Sequence, residues 1–224
     1  MSNPEVLKEF WYDLKNDERN SILNNCHKEY DNFLMGKDFD VEVVKKYFQI
    51  DNYKFFNSAE KGDLELVKAY IRLGADIHVG NDWALRDSCN YGHLDVVKYL
   101  VECGAKIHAE NNRALQLASG NGHLEIVKYL VEQGANIHAA DDWALQVASE
   151  NGHLEIVKYL VEHGANVHAE NDYALRYSAS NGHLSVVKYL VKQGADIHAD
   201  NDYALKYAVN NGHTKVVEYL KSLS

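Results

Sequence analysis

Apolar residues recur at helical spacing through most of the chain, in pairs of segments that glycines separate. In residues 171–200 the first segment carries Ala174, Leu175 and Ala179, which share one face of a helix at this spacing. The second segment is apolar around most of its circumference, with Val186, Val187, Tyr189, Leu190 and Val191. The pattern therefore predicts two short helices, of which the second is buried on more than one side.

Turn residues mark the expected ends of these two helices. Asp172 precedes the first helix and is expected to cap it, because an Asp side chain accepts hydrogen bonds from first-turn N–H groups. Gly182 should end that helix in the left-handed conformation, which costs glycine no Cβ clash. The second helix should begin near His183–Leu184 and end at Gly194, and the segment ADIHAD is expected to be a turn with a brief extended stretch.

The same pair of segments returns every thirty residues. Residues 121–139 and 151–169 differ at only two of nineteen positions, and two glycine series keep the same period without insertion or deletion. The repeating units are 51–80, 81–110, 111–140, 141–170, 171–200 and 201–224. One helical pair of this size cannot bury its own apolar surface, so the copies are expected to stack into a solenoid.

The ends of the array differ from its middle. Residues 1–50 are not a repeat, and their apolar positions follow helical spacing only loosely. We expect a helical N-terminal capping region there, with an independent functional domain as the alternative. The first and last units, 51–80 and 201–224, are more polar than the others, as terminal units of a soluble solenoid must be.

The phrase GHLEIVKYLVEQGANIHA closely resembles the second half of an ankyrin repeat, and the resemblance covers about residues 51–224. The first half departs from it, because Trp83-Ala84-Leu85-Arg86 stands where ankyrin repeats have T-P-L-H after a projecting finger. The period is also thirty rather than about 33 residues. The resemblance implies an all-α helix-turn-helix solenoid in which short turns replace the β-hairpin fingers. This thirty-residue variant resembles the ankyrin arrays of giant DNA viruses of amoebae.

Composition narrows the class of partner. The formal net charge of −10 argues against non-specific nucleic-acid binding, which needs a basic face. Cys26, Cys89 and Cys103 have no paired spacing, which suits a reducing compartment. The sequence shows no signal peptide, and no apolar run approaches the ~18 residues of a membrane helix. We expect a soluble, monomeric, cytoplasmic protein with a protein partner, acting in the host cytoplasm if it is viral.

Ten of the twelve histidines lie fifteen residues apart, as two interleaved series of period thirty. Neighbours within a series should be roughly 10 Å apart, one helix-packing distance, so their ring nitrogens cannot converge on one metal ion. We expect them to make hydrogen bonds in turns and between repeats. The resemblance leaves one alternative, hydroxylation by an oxygenase at His108, His138, His168 and His198. No catalytic motif is present, so neither an enzyme nor a cofactor is expected.

Variation between units is confined to four positions of the first helix, whose offsets of three, four and seven place them on one face. The third position holds Trp83, Arg113, Trp143, Tyr173 and Tyr203. The sixth holds Arg86, Gln116, Gln146, Arg176 and Lys206. The seventh holds Asp87, Leu117, Val147, Tyr177 and Tyr207. The tenth holds Asn90, Gly120, Glu150, Ser180 and Asn210. We expect the sixth and tenth positions to be exposed and the third and seventh to pack, at least in part.

In the family, this helix borders the concave groove where partners bind. The predicted function is therefore a non-catalytic protein–protein interaction scaffold, with a structural or self-assembly role as the alternative. The candidate partner-binding residues are Trp83, Arg86, Arg113, Gln116, Trp143, Gln146, Glu150, Tyr173, Arg176, Tyr203 and Lys206. By contrast, Tyr99, Tyr129, Tyr159, Tyr189 and Tyr219 recur unchanged in the five units from residue 81 onward and are expected to belong to the scaffold.

Overall fold

The computed structural model describes residues 52–72 and 74–223, and the predicted capping region 1–50 lies outside these residues. The described part folds into twelve helices and no strands. The helices are α1 (Asn52–Glu60), α2 (Leu64–Arg72), α3 (Val79–Tyr91), α4 (Leu94–Glu102), α5 (Ala109–Gly120), α6 (Leu124–Glu132), α7 (Ala139–Glu150), α8 (Leu154–Glu162), α9 (Ala169–Ser180), α10 (Leu184–Lys192), α11 (Ala199–Asn210) and α12 (Thr214–Lys221). The prediction of an all-α helix-turn-helix solenoid is confirmed.

Each repeat contributes one odd-numbered and one even-numbered helix, called here the first and the second helix. A first helix packs against the second helix of its own repeat and against the first helices of the neighbouring repeats. Successive second helices also touch, but their contacts are much less extensive. No helix in the described ranges combines the length and the apolar character that crossing a membrane requires.

The core runs through the array as one apolar cluster between the two layers of helices. Leu145 of α7 and Ile156, Val157 and Leu160 of α8 are at most 2% exposed. Burying one such side chain contributes about 1.5–3 kcal/mol, and each repeat supplies the same set to its neighbours. The recurring tyrosines from Tyr99 to Tyr219 are half-buried and pack against this core, as expected of scaffold residues.

The glycine turn between the two helices of a repeat forms as predicted. Gly152 has φ 80°, in the left-handed region. The His153 N–H then donates to the Ala148 carbonyl at 2.9 Å, which closes the end of α7 in a Schellman arrangement. The second helix starts at the next residue, Leu154, and the second glycine of the repeat, Gly164, ends it with φ 99°.

The connection between repeats differs from the prediction in two ways. The extended stretch is absent from the described residues, and the first helices from α3 to α11 instead contain three consecutive left-handed residues near their start. In α9 these are Glu170, Asn171 and Asp172, with φ of 50°, 54° and 56°. The N-cap role predicted for Asp172 is therefore wrong. Its carboxylate is buried and accepts the backbone N–H of Asp196 in the next repeat, at 2.9 Å.

Candidate interaction face

Histidine side chains on the glycine turns connect each repeat to the one before it. The His153 Nε2 atom lies 3.0 Å from the Gly120 carbonyl oxygen, 33 residues earlier, and His183 contacts the Glu150 carbonyl in the same way at 2.9 Å. His93 and His123 repeat the contact. The prediction that this histidine series makes hydrogen bonds between repeats is confirmed.

The second histidine series works with the buried Asp or Asn of the left-handed turn. Asp142 is 5% exposed. Its Oδ1 accepts a hydrogen bond from the Asn166 N–H at 3.0 Å and lies 3.0 Å from His138 Nδ1. The equivalent pair His198–Asp202 lies at the less buried end of the array. There the hydrogen bond to the Asp202 carboxylate raises the pKa of His198 above its ordinary value. These histidines therefore position the residue that links each repeat to the next.

Metal-binding geometry does not arise within residues 52–72 and 74–223. No group of three or more His, Cys, Asp or Glu side chains in these ranges comes together where an ion could sit. The ring nitrogens of both histidine series are instead engaged by backbone carbonyls or by neighbouring side chains. Cys89 is fully buried, and burial raises the pKa of its thiol, so it stays protonated.

Aromatic rings from the third and seventh positions form a continuous strip across α7, α9 and α11, called here the aromatic strip. It consists of Trp143, Tyr173, Tyr177, Tyr203 and Tyr207, with successive ring centroids 5.8, 3.9, 5.5 and 3.9 Å apart. Its last ring is 41% exposed. The expectation that the third and seventh positions pack is thus confirmed in this half of the array, where the side chains pack on one another.

At the other end of the array, Trp83 stands apart from the aromatic strip. Its ring stacks on Phe56 of the preceding repeat, with centroids 5.6 Å apart, and its indole N–H donates to Asp87. The side chain remains 47% exposed. Arg113, at the same position of the following repeat, is also exposed. The third position therefore offers accessible side chains in α3 and α5 and half-buried ones in α7, α9 and α11.

Burial raises the pKa of two phenols in the aromatic strip, those of Tyr173 and Tyr203. Burial, followed by the nearby Glu150 carboxylate, raises the pKa of Tyr173 to about 12. Burial also raises the pKa of Tyr203. The Tyr173 hydroxyl donates to Glu150 Oε2 at 3.2 Å, and the Arg176 guanidinium lies 5.1 Å from the centre of the Tyr203 ring. The raised pKa values keep the Tyr173 and Tyr203 phenols uncharged near neutral pH.

The sixth position is more buried than predicted. Gln116, Gln146 and Arg176 are 7%, 1% and 9% exposed, and Lys206 is exposed at the end of the array. The expectation of exposure fails because these long polar side chains fold back onto the left-handed turn. Each donates to the carbonyl five residues earlier, as Gln116 does to Asn111 at 2.8 Å. They therefore satisfy backbone groups that the left-handed turn leaves exposed.

The tenth position is half-buried through the middle of the array. The Glu150 carboxylate accepts a hydrogen bond from the Tyr173 hydroxyl. Its backbone carbonyl accepts a hydrogen bond from Asn181 and also contacts His183 Nε2. Ser180 is 8% exposed, and Asn210 is exposed. The expected exposure of this position is confirmed only in α11, in the last described repeat.

Two ion pairs that the sequence analysis missed connect successive repeats on this face. Arg86 Nη1 lies 2.7 Å from Glu110 Oε2, and Arg176 Nη1 lies 2.6 Å from Asp200 Oδ2. In both pairs the acid follows the arginine by 24 residues. This common spacing of 24 residues is the sequence feature that could have predicted the ion pairs. It has a structural meaning only when the left-handed turn is known to lie beside the sixth position.

Comparison with known proteins agrees with this architecture. A search of curated proteins found no match to the chain. The family model described as ankyrin repeats (3 copies) matches residues 55–141 and 145–223, which together make up more than half of the sequence. With its repeated helical pairs, glycine turns and stacked core, the chain belongs to the ankyrin-repeat family.

Proposed function

We propose that the protein is a non-catalytic scaffold that binds a partner protein through the concave face formed by its first helices. The observation that carries this proposal is the clustering of aromatic and arginine side chains on one variable face. The aromatic strip and the exposed ring of Trp83 lie on it. Trp, Tyr and Arg dominate the energetics of protein interfaces because each buries a large area with little loss of conformational freedom.

The two layers of helices support the choice of this face. The second helices of the middle repeats carry nearly the same residues, whereas the first helices differ more between units. First helices also contact one another far more extensively than second helices do. A stack with one closely packed layer curves toward that layer, which favours a concave surface on the first-helix side.

Preorganisation supports a binding role for the aromatic strip. Tyr177 stacks on Tyr173, and Tyr207 stacks on Tyr203, with both centroid distances at 3.9 Å. Rings that are already held by their neighbours lose little side-chain entropy when a partner covers them. A partner can therefore gain contact area on this face without ordering it first.

We further propose a host protein as the partner and the host cytoplasm as the place of action. This rests on the resemblance of the thirty-residue units to the ankyrin arrays of giant DNA viruses of amoebae. The net charge of −10 favours a partner with a complementary basic surface.

Affinity capture with mass spectrometry from an amoebal lysate tests the proposal, using the complete chain as bait. The face variant combines Trp83→Ala, Arg113→Ala, Lys206→Ala and Tyr207→Ala, four positions whose side chains are exposed. The control variant combines Lys98→Gln, Glu125→Gln, Glu155→Gln and Lys188→Gln, which alters four exposed second-helix positions at constant net charge. Circular dichroism and melting temperature establish that both variants are folded.

Prey proteins retained by the parent and the control but lost from the face variant would support binding through the first helices. Preys retained by all three, or lost equally from both variants, would contradict it. Sedimentation of the purified parent protein tests the alternative, a structural or self-assembly role. Self-assembly predicts that the measured mass rises with protein concentration.

A further inference from the structure

Two repeats contain the same three-part arrangement on the first-helix face. In one, the Arg86 guanidinium lies 5.8 Å from the centre of the Trp83 ring and pairs with Glu110 of the next repeat. In the other, Arg176 lies 5.9 Å from the Tyr173 ring and pairs with Asp200. An aromatic ring, an arginine and an acid thus follow one another at constant spacing.

The second terminal nitrogen of each guanidinium has a constant partner too. Arg86 Nη2 donates to the Gly80 carbonyl, and Arg176 Nη2 donates to the Glu170 carbonyl at 2.9 Å. Both acceptors lie six residues before the arginine, in the left-handed turn. The planar guanidinium therefore joins a ring face, a carboxylate and a turn carbonyl, which matches its fixed fork of donors.

Residues 141–170 carry this arrangement without the arginine. Trp143 supplies the ring and Glu170 supplies the acid at the same spacing, but Gln146 stands at the sixth position. The Glu170 carboxylate is exposed and has no partner among the described residues. No side chain of the described ranges donates to the carbonyl of Ala140, which corresponds to Gly80 and Glu170 in the complete arrangements.

The amide of Gln146 shows that its own side chain does not complete the arrangement. Its Nε2 donates to the Asp141 carbonyl, but its Oε1 is buried and has no hydrogen-bond donor in the described part of the chain. A buried acceptor without a donor costs about 1–3 kcal/mol. The carboxylate of Asp141, whose backbone carbonyl accepts the Gln146 amide, is exposed and likewise unpaired among the described residues. In this repeat, therefore, three acceptor groups lack a donor among the described residues: Gln146 Oε1 and the carboxylates of Asp141 and Glu170.

The preceding repeat provides an internal comparison. At residues 111–140 the sixth position is also a glutamine, Gln116, but its Oε1 accepts a hydrogen bond from Arg113 at 3.2 Å. That repeat has no aromatic ring at the third position, and Ala140 replaces the acid. The amide of Gln116 therefore has a partner for both its oxygen and its nitrogen. A glutamine at the sixth position therefore does not by itself create the unpaired acceptors seen at 141–170.

We propose that an arginine of the partner protein completes the arrangement at Trp143, Gln146, Asp141 and Glu170, here called the arginine-acceptor site. The accessible contacts are the half-buried Trp143 ring and the exposed Glu170 carboxylate. Arginine fits better than lysine, since only a planar guanidinium stacks on a ring while it donates in parallel to an acid. This inference deepens the proposed function and rests on it.

Nuclear magnetic resonance of the complete ¹⁵N-labelled chain tests the site with a defined probe, acetyl-Gly-Gly-Arg-Gly-Gly-amide. The lysine peptide of the same length serves as the comparison. The reporter is the indole N–H signal of Trp143, assigned by its disappearance in Trp143→Phe. We expect a saturable shift with the arginine peptide and binding weaker by about threefold or more with the lysine peptide, because a lysine cannot stack and donate in parallel.

Three variants connect the shift to the site. Glu170→Gln should weaken binding by about tenfold, the effect of losing a charge-assisted contact. Glu132→Gln makes the same charge change at an exposed residue of α6 and should leave binding unchanged. Gln146→Arg should abolish binding, because its own guanidinium then occupies the position as Arg86 and Arg176 do. This variant should melt at or above the parent temperature.

The absence of a Trp143 shift, or equal binding by the parent, Glu170→Gln and Gln146→Arg, would overturn the arginine-acceptor site. Capture experiments distinguish its failure from that of the proposed function. Some preys could be retained by Gln146→Arg but lost from the face variant. Such preys would still support interaction through the first helices, and they would contradict binding of a partner arginine at the arginine-acceptor site. A peptide bound at Trp143 with no face-dependent prey would support the site and reject the proposed function.

Discussion

The two turns of each repeat connect neighbouring repeats in opposite directions along the chain. After the first helix, the glycine turn places His153 against the Gly120 carbonyl, 33 residues earlier. After the second helix, the left-handed turn places Asp142 where it accepts the Asn166 N–H, 24 residues later. The first turn reaches its conformation through glycine, whereas the second places three residues with side chains in the same region of φ.

This difference shows that glycine is only one way to hold a backbone in the left-handed region. An L-residue there costs roughly 1–2 kcal/mol, so three in succession require compensation. The last residue of each turn compensates this strain through its side chain. Asp142, for example, is buried, and its Oδ1 contacts both the Asn166 N–H and His138 Nδ1. Strain of this kind persists where the surrounding structure over-determines it. In the glycine turn there is no such strain to compensate.

The largest effect should come from filling the glycine turn. A Cβ at residue 152 would lie 2.5 Å from the His183 ring, whereas a Cβ at residue 164 meets nothing within 4 Å. Gly152→Val should therefore lower the free energy of unfolding by about 3 kcal/mol, through left-handed strain and the lost His183 hydrogen bond. Gly164→Val carries the strain alone and should cost about 1–2 kcal/mol.

Urea unfolding followed by circular dichroism measures both glycine variants. Equal losses at the two glycines would show that the His183 ring moves aside without cost. The glycine turn would then be no more constrained than the turn after the second helix.

An intermediate effect should come from removing the forward link. In Asp142→Ala the Asn166 N–H loses its acceptor, and an alanine must occupy φ 59°. We expect the free energy of unfolding to fall by about 2–3 kcal/mol. Asp142→Asn is the matched control, because Asn112 makes the same two contacts naturally and should be tolerated within about 1 kcal/mol. A similar loss in both variants would show that the carboxylate charge stabilises the turn.

The smallest effect should have the opposite sign. Ala140 lies at φ 52°, is followed by two further left-handed residues and has no polar side chain to compensate the strain. Ala140→Gly should raise the free energy of unfolding by about 1 kcal/mol. Ala144→Gly, in the right-handed part of the same helix, should lower it by a comparable amount, since glycine there loses helix propensity. Thermal melting of the two variants compares the signs directly, and a loss in both would contradict left-handed strain at Ala140.

Much of the scaffold could be predicted from the sequence, because its signals are local. The period of thirty, the helix pair and the glycine turn follow from apolar spacing and from glycine itself. The histidine contacts between repeats were also predicted as a class. The left-handed turn could not be predicted, because Glu170, Asn171 and Asp172 lack glycine and resemble an ordinary helix start.

The candidate face was harder to predict for the same reason. Without the left-handed turn, Gln146 and Arg176 look like exposed polar residues of a helix. The turn places backbone carbonyls beside them, so they fold inward and become buried. The positions of the candidate residues on the first helices were predicted from their spacing. Which of them remain accessible depends on contacts between repeats that only the structure provides.

One turn of each repeat contacts the preceding repeat and the other contacts the following one. This arrangement affects how such a chain can evolve. Every link described for His153 or Asp142 ends in an adjacent repeat, and its partner stands at the same place in each unit. Duplicating or deleting thirty residues in register therefore leaves both of these links intact. Recombination can lengthen or shorten the array in whole units, and each new copy is then free to diverge at the variable positions of its first helix.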